Sequence, residues 1–134
     1  MKSLLPALAL LALAVPAAAQ RGPGPEGVWR NARDSVRIRV ARCGDGLCGR
    51  VVRASAEAQA AAAAGGTERL VGTDLFRGLV PEEDGLWYGQ VYVPDLGREV
   101  EGTLEQTGRD TLVAEGCLFA GFGCKAQTWT RVRR

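Results

Sequence analysis

"SVRIRVARCGDGLCGRVVR", residues 35–53, decides the fold. Up to Cys43 the stretch alternates, with Val36, Ile38 and Val40 on one face and Arg37 and Arg39 on the other. Period two is the pattern of a strand buried on one side. "GDGL" interrupts it, and residues 48–53 resume as a second strand. Gly44, Gly46 and Gly49 also spell G-x-G-x-x-G. That pattern cradles phosphate where a strand passes through the glycines into a helix N-terminus. Here the glycines lie between two strands, "RVVR" is no helix start, and no βαβ unit fits nearby. The phosphate reading therefore falls.

A staple across a tight hairpin fits better. Asp45-Gly46 reads as a two-residue turn. Gly44 and Leu47 are then the closing pair, and Cys43 faces Cys48 with Cα atoms about 4.5 Å apart. A disulfide accepts that spacing. The same register pairs Val40 with Val51 on the opposite face, so the bond lies outside the core beside Arg39, Ala41 and Arg50. Its role is to fix register, because a one-residue slip would turn the apolar face outward. Cys117 and Cys124 flank "LFAGFG" and form the second bridge. Pairing across the two motifs would stabilise by about 4 rather than about 2 kcal/mol, because it closes a longer loop. Geometry favours the local pairs, since a hairpin brings the sulfurs together without a global fold. A redox role needs an accessible low-pKa thiolate, usually in C-x-x-C at a helix N-terminus, and neither pair has that setting.

The N-terminus agrees with disulfides. Lys2, an apolar stretch over residues 4–15 and Ala17-Ala18-Ala19 make a secretory signal peptide over residues 1–19. The stretch is short for a bilayer span and carries Pro6 and Pro16. The expected location is periplasmic or secreted, an oxidising compartment. Residues 20–26 read as a flexible leader and residues 27–134 as one domain. The formal charge is +2, and it falls to +1 without Lys2. Near-neutrality and the lack of a broad basic stripe argue against a nucleic-acid partner, and Arg131, Arg133 and Arg134 read as a solvated terminus. The chain has 0 His, so the commonest metal ligand and neutral-pH base are missing. The cysteine spacings, C-x4-C and C-x6-C, are not the short zinc type. Neither metal nor cofactor is expected.

Strand patterns also cover residues 27–30, 73–79, 86–93, 98–106, 111–117 and 125–132, with "VPEEDG" and "PDLG" as turns. "ASAEAQAAAAAGG", residues 54–66, is the exception. Ser55 can cap, the alanines favour helix and Gly65-Gly66 stop it. It reads as a short surface helix or loop. The expected class is all-β: about eight antiparallel strands in an up-and-down meander that closes into a barrel, with a two-sheet sandwich as runner-up.

"GVW", "CGDGLCGRVV", "LFRGL", "YVPDLGREVEGTL" and "QTWTRV" together resemble the bacterial exported proteins grouped as domain of unknown function 2147. The resemblance implies a small barrel of the lipocalin and streptavidin kind, with no established activity, cofactor or catalytic residue. Residues 54–67 depart from it, being Ala-rich where relatives are polar. The lipocalin likeness also suggests that Trp29, in G-x-W, packs near the barrel floor under Arg131 from the last strand. That contact is structural.

Small barrels have room for side chains and one small ligand. Phe76, Trp87, Tyr88, Tyr92 and Trp129 are the candidates to line a ligand site or fill the core. Residues 86–93 carry aromatics on both faces, so one set must face out. The favoured function is small-ligand binding. The alternative is an envelope interaction protein without a ligand, using an aromatic face or the Arg37, Arg39 and Arg50 patch. An enzyme is disfavoured: no catalytic residue is named, Ser35 and Ser55 have no elbow or base, and Glu82, Glu83 and Asp84 look solvated. The sequence does not indicate an oligomeric state.

Overall fold

The computed structural model describes residues 3–4, 9–13, 23–83, 85–119 and 122–133. Most of the expected signal peptide and the first leader residues lie outside them. Eight strands follow one another round a closed antiparallel barrel: β1 (Gly27–Asn31), β2 (Val36–Cys43), β3 (Gly46–Ala54), β4 (Asp74–Glu83), β5 (Leu86–Val93), β6 (Arg98–Gly108), β7 (Thr111–Phe119) and β8 (Phe122–Arg131). One helix, α1 (Ala56–Ala64), links β3 to β4. No helix among the described residues is long and apolar enough to cross a membrane.

Alternation sets the inner face. Ile38, Val40, Leu47, Val51, Leu104 and Leu112 are buried and point in, while the Arg39 and Arg50 pair points out. The hairpin register differs from the expected one. Cys43 pairs with Gly46, Ala41 with Cys48 and Ile38 with Val51, so the turn is Gly44-Asp45 rather than Asp45-Gly46. Gly44 takes the positive φ, 59°. Gly46 is required elsewhere: a Cβ there would stand 2.5 Å from the Leu79 carbonyl oxygen of β4. The slip moves each partner by two residues and therefore leaves every face unchanged. Cys43 and Cys48 still lie outside, bonded on the diagonal with Cα atoms 5.7 Å apart. Cys117 and Cys124 pair directly and are bonded, Cα atoms 4.0 Å apart.

"VPEEDG" is not a turn throughout. β4 runs on to Glu83, which pairs with Leu86, and Pro81 pairs with Trp87. The ladder is irregular on both sides of Val80 and Pro81, which is where a strand tolerates a residue with no N–H.

The floor end of the barrel is solid. Trp29, Ile38, Leu47, Leu79, Leu104 and Leu112 are all at most 1% exposed. Residues 23–26 are tied across this end. Trp29 Nε1 donates to the Pro25 carbonyl at 2.8 Å. Arg131 lies with its guanidinium carbon 4.3 Å from the centre of the Trp29 ring. The same guanidinium donates to the carbonyls of Gly24, Glu26 and Arg109.

Candidate ligand cavity

The other end is hollow. A cavity of about 1300 Å³ opens there, bordered by the 32–35 turn, α1, the 94–97 turn and the β7–β8 hairpin. Its deep end is aromatic: Phe76 and Trp129 are buried and meet edge to face, with ring centres 6.2 Å apart and planes at 81°. Val91, Val100 and Ala114 form apolar wall above them. Inward glycines Gly102 and Gly116 leave space that Val91 and Val100 occupy: a Cβ on Gly102 would stand 2.5 Å from Val91 Cγ2.

α1 partly roofs the mouth. Ser55 caps it, its hydroxyl accepting from the Ala58 N–H at 3.1 Å. Ala58 and Ala61 border the cavity and Ala62 is fully buried, so the helix is more than a surface element. Alanine lets it lie close. A Cβ on Gly65 would fall 1.9 Å from the Asp95 carbonyl oxygen, so the helix end rests directly on the β5–β6 turn. Thr67 locks that corner. Its hydroxyl donates to the Pro94 carbonyl at 2.8 Å. The Tyr92 hydroxyl, 2.6 Å away, must therefore donate to Thr67.

The barrel seam is short on this side. β8 meets β1 only through Asn31, Arg30 and Trp29, opposite Trp129, Thr130 and Arg131. Residues 122–128 extend past β1, and all seven are exposed. The tip of the same hairpin carries Leu118, Phe119 and Phe122, the last two 66% and 76% exposed.

The five aromatic candidates separate. Phe76, Tyr92 and Trp129 border the cavity; Trp87 and Tyr88 do not. Trp87 turns inward opposite Leu104 and packs on the core nearer the floor. Tyr88 faces out, where hydrogen bonding to Glu101 holds its phenol above the ordinary range, with burial adding to the shift. Tyr92 sits at the rim with the Arg77 guanidinium 4.4 Å from its ring centre, and Arg77 also pairs with Glu99 at 2.9 Å. Glu82 and Glu83 are exposed on β4. Glu115 stands with both hairpin-tip sulfurs inside 4.8 Å, but those sulfurs are bonded to each other and offer no thiolate to a metal. Among the wall residues that the sequence did not single out are Gln127, Lys125 and Ala114. The alternation of β7 and β8 through Leu112 and Trp129 was the signal that places them inside.

An eight-stranded antiparallel meander, closed and filled at one end and hollow at the other, is a lipocalin-like barrel. Protein HP1028 from the human pathogen Helicobacter pylori, which belongs to the lipocalin family, shares this fold. Its TM-score is 0.61 over 81% of this chain and 82% of its own, at 12% identity. The chain belongs to the family described as "Uncharacterized protein conserved in bacteria (DUF2147)", which matches residues 27–131. Comparison with curated proteins finds no match.

Proposed function

We propose that this chain is an exported binding protein that holds one small, mainly apolar molecule in the open half of its barrel. The observation that carries this reading is the cavity of about 1300 Å³ above a solid floor, a volume somewhat above the roughly 300–1,000 Å³ of ordinary small-molecule sites and so ample for one such ligand. Two disulfides fit an oxidising compartment outside the cytoplasm. The expected signal peptide and the periplasmic location belong to this proposal. Ala114→Phe tests it, because Ala114 points inward beside the cavity, opposite Leu104, and a phenyl ring there fills the deep end of the space. N-phenylnaphthylamine is expected to bind the parent at one site, with rising fluorescence, and the folded variant is expected to lose that binding. Equal binding by both would place the apolar site elsewhere and end the proposal.

A second reading rests on Phe119 and Phe122. An exposed aromatic tip, stiffened by the Cys117–Cys124 bond, suits contact with a partner or an envelope surface. Loss of that contact in a Phe119→Ser, Phe122→Ser variant with unchanged cavity binding would separate the two roles.

A further inference from the structure

The inner wall of the cavity is not uniform. Among the described residues, alternation turns apolar groups or glycine inward along β5, β6 and β7 at this height: Val91, Val100, Gly102, Ala114 and Gly116. β8 differs. Trp129, Gln127 and Lys125 share its inner face, opposite Leu112, Ala114 and Gly116. All three border the cavity, and all three can donate hydrogen bonds.

The deepest of them is incomplete. Trp129 is 2% exposed, and its indole N–H has no acceptor among the described residues. A buried donor left unpaired is a standing penalty, and an acceptor lodged against that wall removes it once the indole turns its N–H, closed off in this structure, toward the cavity. The shallowest is a free cation. Lys125 makes no ion pair among the described residues. Of the acidic groups that border the cavity, Asp34 is engaged by Arg37, Glu57 sits in the first turn of α1 without an ion pair among the described residues, and Glu115 faces the outside of β7. Asp95 belongs to the β5–β6 turn, two to three strands round the ring from β8. Lys125 and Trp129 are four residues apart on one strand, about 13 Å along it.

We propose that the ligand is an elongated apolar anion: its carboxylate or similar oxyanion pairs with Lys125 at the mouth, and a neutral oxygen acceptor at its far end takes the Trp129 N–H. The polarity follows from desolvation. An anion pushed down to Trp129 would be buried without a cation, which is far more costly than burying a carbonyl that gains one hydrogen bond. The apolar body then lies along Val91, Val100 and Phe76. This inference rests on the cavity being a ligand site.

Three esters and acids of one chain length test it: monomethyl sebacate has both groups, dimethyl sebacate lacks the charge, and decanoate lacks the far acceptor. Affinities are measured by calorimetry and the indole N–H signals by nitrogen–proton NMR. Monomethyl sebacate is expected to bind about tenfold more tightly than decanoate, the value of one buried hydrogen bond. It is expected to bind about fivefold more tightly than the diester, an advantage that shrinks with salt. The Trp129 indole proton is expected to move on binding. Lys125→Ala should erase the preference for the monoester over the diester and keep the preference over decanoate. Trp129→Phe should do the reverse. Lys125 is exposed, so its variant keeps the test decisive even if Trp129→Phe does not fold. Equal binding of all three probes, with the Trp129 signal unmoved, overturns this inference and leaves the cavity reading standing. Failure of all three, together with failure of N-phenylnaphthylamine, overturns both.

Discussion

Arg131 closes the floor, and replacing it by methionine should open that end. The guanidinium stacks on Trp29 at 4.3 Å, donates to three carbonyls at 2.8–3.1 Å and pairs with Asp110 at 3.4 Å. Its side chain is 15% exposed, so water reaches it only in part. The stack is worth about 1 kcal/mol at a partly covered site. Each carbonyl that loses a charged donor forfeits about 1 kcal/mol net. Methionine keeps the apolar contact with the indole, so the expected loss is about 3 kcal/mol rather than the full total. For a domain near 100 residues, each kcal/mol shifts Tm by about 4–8 °C. The variant should therefore melt at least 12 °C or so lower, by calorimetry or near-UV circular dichroism. Arg131→Lys should recover less than half of that, because an ammonium cannot span three carbonyls while lying flat on the ring. A methionine variant within about 3 °C of the parent, or a lysine variant equal to it, would refute the idea that this contact clamps residues 23–26 onto the floor.

Two glycines of the first hairpin should respond differently. Gly44→Ala meets open space but must hold a positive φ, and should lose about 1 kcal/mol. Gly46→Ala strikes the Leu79 carbonyl and should lose more, up to about 3 kcal/mol, in denaturant titrations. Replacing Cys117 and Cys124 by serine should speed amide exchange over residues 117–124 while the floor strands keep their protection, because this end of β8 has no partner at β1. Asp34 gives a pH signature. Hydrogen bonding to Arg37 lowers its pKa below 3.8, so its contribution is fully present above that value. The contribution disappears as pH falls through the lowered pKa. Asp34→Asn should make the acid end of the Tm–pH curve shallower by a small amount, as befits an exposed pair.

The inner and outer faces were legible because alternation along a strand is local information. Val36, Ile38 and Val40 declare their side whatever they pair with. The hairpin turn was misplaced by one residue because Asp-Gly is the stronger local signal, whereas the demand on Gly46 comes from β4, remote in sequence. The parity survived, so the outside position of the disulfide did too. α1 was hard to read for a different reason. Its buried stripe is alanine, which carries helix propensity but almost no hydrophobic contrast, so Ala62 in contact with the core looks like Ala60 in water. Beyond the Trp29 and Arg131 contact that the family likeness suggested, which end of the barrel is filled and which is hollow was not legible. Pattern gives the direction of a side chain, and a cavity depends on how volumes add up across eight strands. The same limit hid the partition of the aromatics, in which Trp87 fills and Trp129 lines.

The central claim is that the upper barrel is occupied by a molecule. Native mass spectrometry of the protein purified from its native bacterial source tests it most directly. The account predicts a main species heavier than the disulfide-bonded mature chain by one small molecule, with the extra mass lost on organic extraction and absent from Ala114→Phe. A bare chain from that source, together with no uptake of apolar anions by the purified protein, would contradict it.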